Sequence, residues 1–124
     1  MPAPVSATAT GQAEPGDLRC RTLLRPAILL LLRDDASHGY ELMRRLAELG
    51  VEVPATPGGL YRSLRAMADE GLVSSYWSTP ERGPARRVYA ITESGEQALQ
   101  QSMSSLASLL QSVRGMLNRY RQRA

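Results

Sequence analysis

Arginines and aromatic side chains recurring three and four residues apart are the chemistry-bearing feature of this chain. Gly58, Tyr61, Arg62 and Arg65 share one face of a helix, because positions at that spacing stack along its axis. A guanidinium is a planar fork that stays charged, so two on one face match a phosphate or the edge of a guanine. Gly58 and Gly59 place no side chain between the backbone and an approaching partner. The same arginines would also suit a solvated helix face. A second cationic group, Arg82, Arg86 and Arg87, surrounds a stretch rich in proline and glycine. A third set, His38, Gly39 and Tyr40, falls in the first turn of another helix, where unpaired N–H groups face an anion such as a phosphate.

Enzymatic chemistry finds few partners. His38 is the only histidine and Cys20 the only cysteine, which leaves zinc coordination, an internal disulfide and histidine-based acid catalysis without a second group. There is no HExxH and no phosphate-loop motif, and the pairs Asp34–Asp35 and Asp69–Glu70 adjoin helix ends and read as solvated. The chain is therefore read as a non-enzyme with no cofactor and no metal. A lone cysteine is compatible with a reducing cytoplasm. Positions 1–17 lack a basic leader and an apolar core, and the longest uncharged apolar run, 27–32, is too short to span a bilayer. A cytoplasmic protein without membrane anchoring is expected, with 1–17 as a disordered tail.

The 124 residues suffice for one domain whose core a partner subunit would enlarge. The net charge is +3 and all fifteen basic residues are arginine. That usage favours bidentate contacts to phosphate or guanine, and equally suits the codon bias of a GC-rich genome.

The elements that must position these groups can be read from periodicity. Thr56 as N-cap and Pro57 as first helical residue open a helix, Leu60, Leu64 and Met67 form its apolar stripe, and Gly71 supplies a left-handed stop. Upstream, 37–49 reads as a helix with Ser37 as N-cap, Leu42, Met43, Leu46 and Leu49 as the buried stripe, and Gly50 at its end. The short 51–55 segment with Pro54 is the turn of a helix-turn-helix. Pro26 disfavours helix at Arg25, so the first regular helix is expected over about 26–33. Its AILLLL run is apolar all round, as for a helix covered by its own domain and a second subunit, or for the central helix of a monomer.

After Gly71 the period becomes alternating. Positions 73–77 and 86–91 are strands joined by a loop over 78–85, with Val73, Tyr89 and Ile91 facing the core. Trp77 is expected to pack over this hairpin. The arginines at the hairpin tip would follow a phosphate backbone or enter a minor groove, or else blunt a sheet edge by charge. Thr92 caps a last helix in which Leu99, Met103, Leu106, Leu110, Val113, Leu117 and Tyr120 alternate steps of four and three, a helix-pairing seam. At 1.5 Å per residue it extends roughly 45 Å, too long for a domain of this size to cover. Leu109 and Met116 widen the stripe.

Three motifs, HGYELMRRL at 38–46, PGGLYRSLRAMADEGLV at 57–73 and GPARRVYAITESGEQAL at 83–99, resemble in order the PadR family of bacterial winged-helix transcriptional regulators over about two thirds of the chain. The family usually has threonine where Gly59 stands and often proline where Arg62 stands; here a hydroxyl is lost and a charge gained. The resemblance implies a mainly α fold with a small β-hairpin (α+β), divided into a tail (1–17), a winged helix-turn-helix domain (18–91) and a dimerisation helix (92–124). It implies a homodimer in which the last helix meets the partner's last and first helices. Some members sense aromatic compounds between first and last helices, so a small-molecule effector at the dimer interface belongs to the expectation; the last helix here has Tyr120 as its one aromatic.

The functional expectation is a sequence-specific regulator of transcription, a repressor acting as a homodimer on a pseudo-palindromic operator in double-stranded DNA. The expected DNA contacts are His38, Tyr40, Thr56, Gly58, Gly59, Tyr61, Arg62, Arg65, Arg82, Arg86 and Arg87. The alternative is a winged-helix module that binds proteins and has no salt-dependent DNA affinity.

Overall fold

A computed structural model describes residues 18–51 and 57–123. The expected tail, 1–17, and Thr56 lie outside the described residues. Within them the chain forms α1 (Leu18–Asp34), β1 (Ser37–His38), α2 (Gly39–Leu49), α3 (Pro57–Asp69), β2 (Val73–Ser78), β3 (Arg86–Ile91) and α4 (Glu93–Arg123). The strands form an antiparallel sheet in the order β1-β3-β2.

One core joins these elements. Leu24, Ala27, Ile28, Leu29 and Leu32 of α1 meet Leu42 and Leu46 of α2, Leu60, Leu64 and Met67 of α3, Val73, Tyr89 and Leu99. The expected stripe of α3 is fully shut off from solvent. Each such side chain removed from water contributes roughly 1.5–3 kcal/mol. The AILLLL run is covered on several sides within its own chain, with Leu30 and Leu31 partly buried against the core.

Three local expectations need correction. First, α1 begins at Leu18 and contains Pro26. The hydrogen bond that proline removes is offset by tertiary ties in the preceding turn: Leu24 is buried in the core, and Arg25 forms a bidentate pair with Glu70 (3.0 and 2.7 Å). Second, Ser37 does not cap α2. It is buried in β1 opposite Tyr89, and His38 is the N-cap, its Nδ1 accepting from Glu41 N–H at 3.3 Å. A strand of two residues has no periodicity to read, and only pairing with β3 defines it. Third, Leu49 is 45% exposed and Met43 half-buried, so the stripe of α2 is carried by Leu42 and Leu46.

The joints are hydrogen-bonded. At the end of α3, Gly71 takes φ +80, its N–H donates to the Ala68 carbonyl and Leu72 N–H donates to that of Met67. A side chain would strain this left-handed stop. Thr92 then caps α4 by accepting from Gly95 N–H (3.0 Å), while its hydroxyl donates to the Gly71 carbonyl (2.6 Å) and its N–H to that of Leu72 (3.1 Å). The end of α3 is thereby tied to the start of α4.

Beyond Leu99 no described residue of α4 is buried. Met103, Leu109, Leu110, Val113, Met116, Leu117 and Tyr120 all stand exposed, and Leu106 is half-buried.

Candidate nucleic-acid interface

The core stripe of α3 fixes what its other side presents. With Leu60, Leu64 and Met67 turned inward, Gly58, Tyr61, Arg62, Arg65, Ala68 and Asp69 face outward along a groove of about 780 Å³. The opposite wall is the sheet, contributing Ser75, Trp77, Arg87 and Tyr89. Among the described residues three guanidiniums and a single carboxylate thus line one depression. Burial raises the pKa of the Tyr89 phenol at the inner wall of this groove. Gly59 is half-buried on the same helix.

Strand alternation separates Arg86 from Arg87. Successive side chains point to opposite faces. Arg87 pairs across the strands with Trp77, its guanidinium 4.9 Å from the indole centroid, and its Nη1 donates to Ser75 Oγ at 3.4 Å. Arg86 turns to His38, with Nη1 3.2 Å from Nε2. A second, smaller cleft of about 280 Å³ results, lined by His38, Gly39, Tyr40, Tyr61, Arg86 and Arg87. Gly39 allows a close approach: a Cβ at that position would lie 2.6 Å from the exposed Tyr61 ring, which would have to swing aside. The Tyr61 ring therefore rests directly on the first residue of α2. Both depressions share Tyr61 and Arg87, so they form one continuous cationic surface.

The structure brings together His38, Tyr40, Tyr61, Arg86 and Arg87 in one cleft and Gly58, Tyr61, Arg62, Arg65 and Arg87 in the other. Arg82 lies exposed in the β2–β3 loop, apart from the described lining of both. Trp77, Ser75 and Asp69 line the groove without having been expected there. Trp77 does pair over its hairpin, yet it is 62% exposed and faces α3. The signal was present in the alternation Val73, Ser75, Trp77: if Val73 points inward, Trp77 shares its face.

A different cleft, of about 640 Å³, opens between α1 and α4, bordered by Leu30, Arg33, Glu93, Glu96, Leu99 and Met103 among others. Among the described residues no aromatic ring lines it. Among the described residues no three His, Cys, Asp or Glu side chains gather as a metal site, and no helix is long and apolar enough to cross a membrane.

Helix-turn-helix, three-stranded wing and long terminal helix together define a winged-helix protein. The model of the transcriptional regulator PadR-like family matches residues 28–101, and the chain belongs to that family. It is 35% identical over 95 residues to the transcriptional regulator Rv3488 of Mycobacterium tuberculosis, covering 77% of this chain and 86% of that protein. To the probable transcriptional regulator Rv1176c of the same organism it is 39% identical over 74 residues, 59% of this chain and 39% of that one, so it spans about two fifths of that relative's length. Its fold is similar to a PadR family transcriptional regulator from Eggerthella lenta (TM-score 0.70, 29% identity, covering 81% of this chain and 85% of that one). It is also similar to Bacillus subtilis PadR solved in complex with operator DNA (TM-score 0.58, 29% identity, 65% and 46%). The family is one of transcriptional regulators, not of enzymes.

Proposed function

We propose that the protein acts in the cytoplasm as a homodimer that binds a pseudo-palindromic operator in double-stranded DNA and represses transcription by occupying it. The observation that carries the reading is the convergence of Arg62 and Arg65 of α3 with Arg87 of β3 on one groove beside a second cationic cleft. The similar Bacillus protein in complex with operator DNA supports it. In this reading α3 enters the major groove, where Arg62 and Arg65 donate to base edges, most often the O6 and N7 of guanine. Arg86, Arg87 and Arg82 act mainly on phosphates, which position the protein without reading sequence.

The face of α4 that the other described residues leave uncovered supports dimerisation. Met103, Leu106, Leu110, Val113, Leu117 and Tyr120 continue the seam that begins at the buried Leu99. Two-fold symmetry would present two α3 helices to the duplex, so half-site centres are expected about one helical turn, on the order of 10 bp, or two turns apart. The α1–α4 cleft is where a small-molecule effector at the dimer interface would sit, and its lining suits a polar molecule better than a flat aromatic one.

Rounds of selection from a random-sequence duplex library by the full-length protein test the proposal. Enrichment of an inverted repeat with that spacing is expected. If no sequence is enriched and no salt-dependent DNA affinity is found, the chain is instead a winged-helix module that binds proteins.

A further inference from the structure

The small cleft beside β1 holds an incomplete set of hydrogen-bonding groups, and we propose that His38 and Arg86 jointly grip one phosphate of double-stranded DNA, with His38 donating through Nε2–H. This rests on the DNA-binding reading above and adds to it that these two side chains share a single phosphate.

His38 Nδ1 accepts from Glu41 N–H at 3.3 Å, which uses the lone pair on that nitrogen. A neutral imidazole has one acceptor and one donor nitrogen, so Nε2 carries the hydrogen. Yet Nε2 lies 3.2 Å from Arg86 Nη1, and a guanidinium has donors only. Two donors face each other, and their contact is not a hydrogen bond while the cap is made. The other tautomer would let Nε2 accept from Arg86 but would turn an Nδ1–H against Glu41 N–H. That backbone donor is fixed in the first turn of α2, whereas Arg86 is an exposed side chain that can rotate. The cap therefore decides the tautomer.

What completes the pair is an acceptor able to take a hydrogen from each. A phosphodiester oxygen has the lone pairs, and its negative charge suits the guanidinium. Among the described residues the cleft lining contains no carboxylate that would supply the acceptor. The neighbouring Glu41 carboxylate is engaged by Arg44. Its volume, about 280 Å³, holds a phosphate with its nearest waters, and it adjoins the α3 groove through Tyr61 and Arg87. A backbone phosphate flanking a duplex seated on α3 meets the geometry.

Asparagine and glutamine divide the functions of the two ring nitrogens. His38→Asn keeps an oxygen near the Nδ1 position, hence the cap, and leaves nothing at Nε2. His38→Gln reaches the Nε2 position with an amide N–H and gives up the cap. Wild type, H38N, H38Q, R86A and H38N/R86A would be titrated with a labelled duplex across a salt series, with a melting temperature for each. H38N should melt like wild type and bind about tenfold more weakly per protomer. Its salt slope should be unchanged, because a neutral ring releases no counterion. R86A should reduce the slope by about one per protomer. In H38N/R86A the two losses should not multiply, since both act on one phosphate. H38Q should melt lower yet recover most of the affinity that H38N loses. The inference is overturned if H38N binds like wild type, if the two losses multiply, or if affinity merely follows melting temperature. Wild type that binds no duplex would remove the DNA-binding reading and this inference with it; wild type that binds while H38N is unaltered removes the inference alone.

Discussion

Leu60, Leu64 and Met67 on α3 are shut off from water, whereas Leu110, Val113 and Leu117 on α4, at the same kind of helical spacing, stand 50%, 40% and 43% exposed. The first set shares a core with α1, α2 and the sheet; the second meets no other described element. Helical spacing thus tells which side of a helix is apolar and not what covers it. The 31 residues of α4 extend about 46 Å, and a helix held only at its first turns gains little from propensity alone. The winged part completes its core, while the far half of α4 is left open among the described residues, the face assigned to a second copy in the proposed homodimer.

Two substitutions should pull these regions apart. Leu110→Asp would set an unpaired carboxylate in the seam of each protomer, at a cost of several kcal/mol to the dimer. In a single chain Leu110 faces solvent, so the variant should elute as a folded monomer with a native circular dichroism spectrum. A variant that stays dimeric by light scattering at micromolar concentration would break the comparison. Leu64→Ala should do the reverse. Emptying that fully buried position costs about 2–5 kcal/mol of stability, while the seam is untouched. Chemical denaturation and light scattering on the same sample would show a large loss of stability with the dimer retained below the transition.

Smaller effects are expected on the outer side of α3. Arg62→Ala and Arg65→Ala remove exposed side chains and should leave stability within about 0.5 kcal/mol of wild type. Each should cost about 1–3 kcal/mol of operator binding and relax the preference at particular base pairs. Equal losses on operator and scrambled duplexes would move both arginines from reading bases to touching phosphates.

The smallest effect concerns the tie between α1 and α3. The hydrogen bonds from Arg25 hold the Glu70 carboxyl below its usual pKa. A depressed carboxylate stabilises the fold above its unfolded value and loses that contribution as pH falls through the folded value. Glu70→Gln should therefore be slightly less stable than wild type at neutral pH, and the two should converge in acid. Both groups are largely solvated, so the difference is small. A gap between the denaturation curves that persisted below the carboxylate range would assign it to packing.

How much was legible follows the range of the interactions. The stripe of α3, the stop at Gly71, the cap at Thr92 and the inward Val73 and Tyr89 are set by neighbours within a few residues, and the sequence discloses them. What it did not disclose depends on partners far along the chain. Pro26 sits inside α1, where Leu24 of the preceding turn is packed into a core that elements far along the chain build. Ser37 leaves the helix because Tyr89 is its strand partner. Arg86 and Arg87 looked equivalent as neighbours in a cationic hairpin, and pleating sends one to His38 and the other to Trp77. The departures at Ser37, Arg86 and Arg87 fall beside the candidate interface because it is assembled from α2, α3 and the wing, elements that meet only in the fold.

The central claim is that this cationic surface reads a DNA sequence. Its most direct test is a pair of titrations, wild type against the selected inverted-repeat duplex and against a scrambled duplex of the same length and composition, over a salt series. The account predicts that the selected duplex is bound at least about 10³-fold more tightly, and that log affinity for both falls linearly with log salt. Equal affinity for the two duplexes, or none for either, would contradict it.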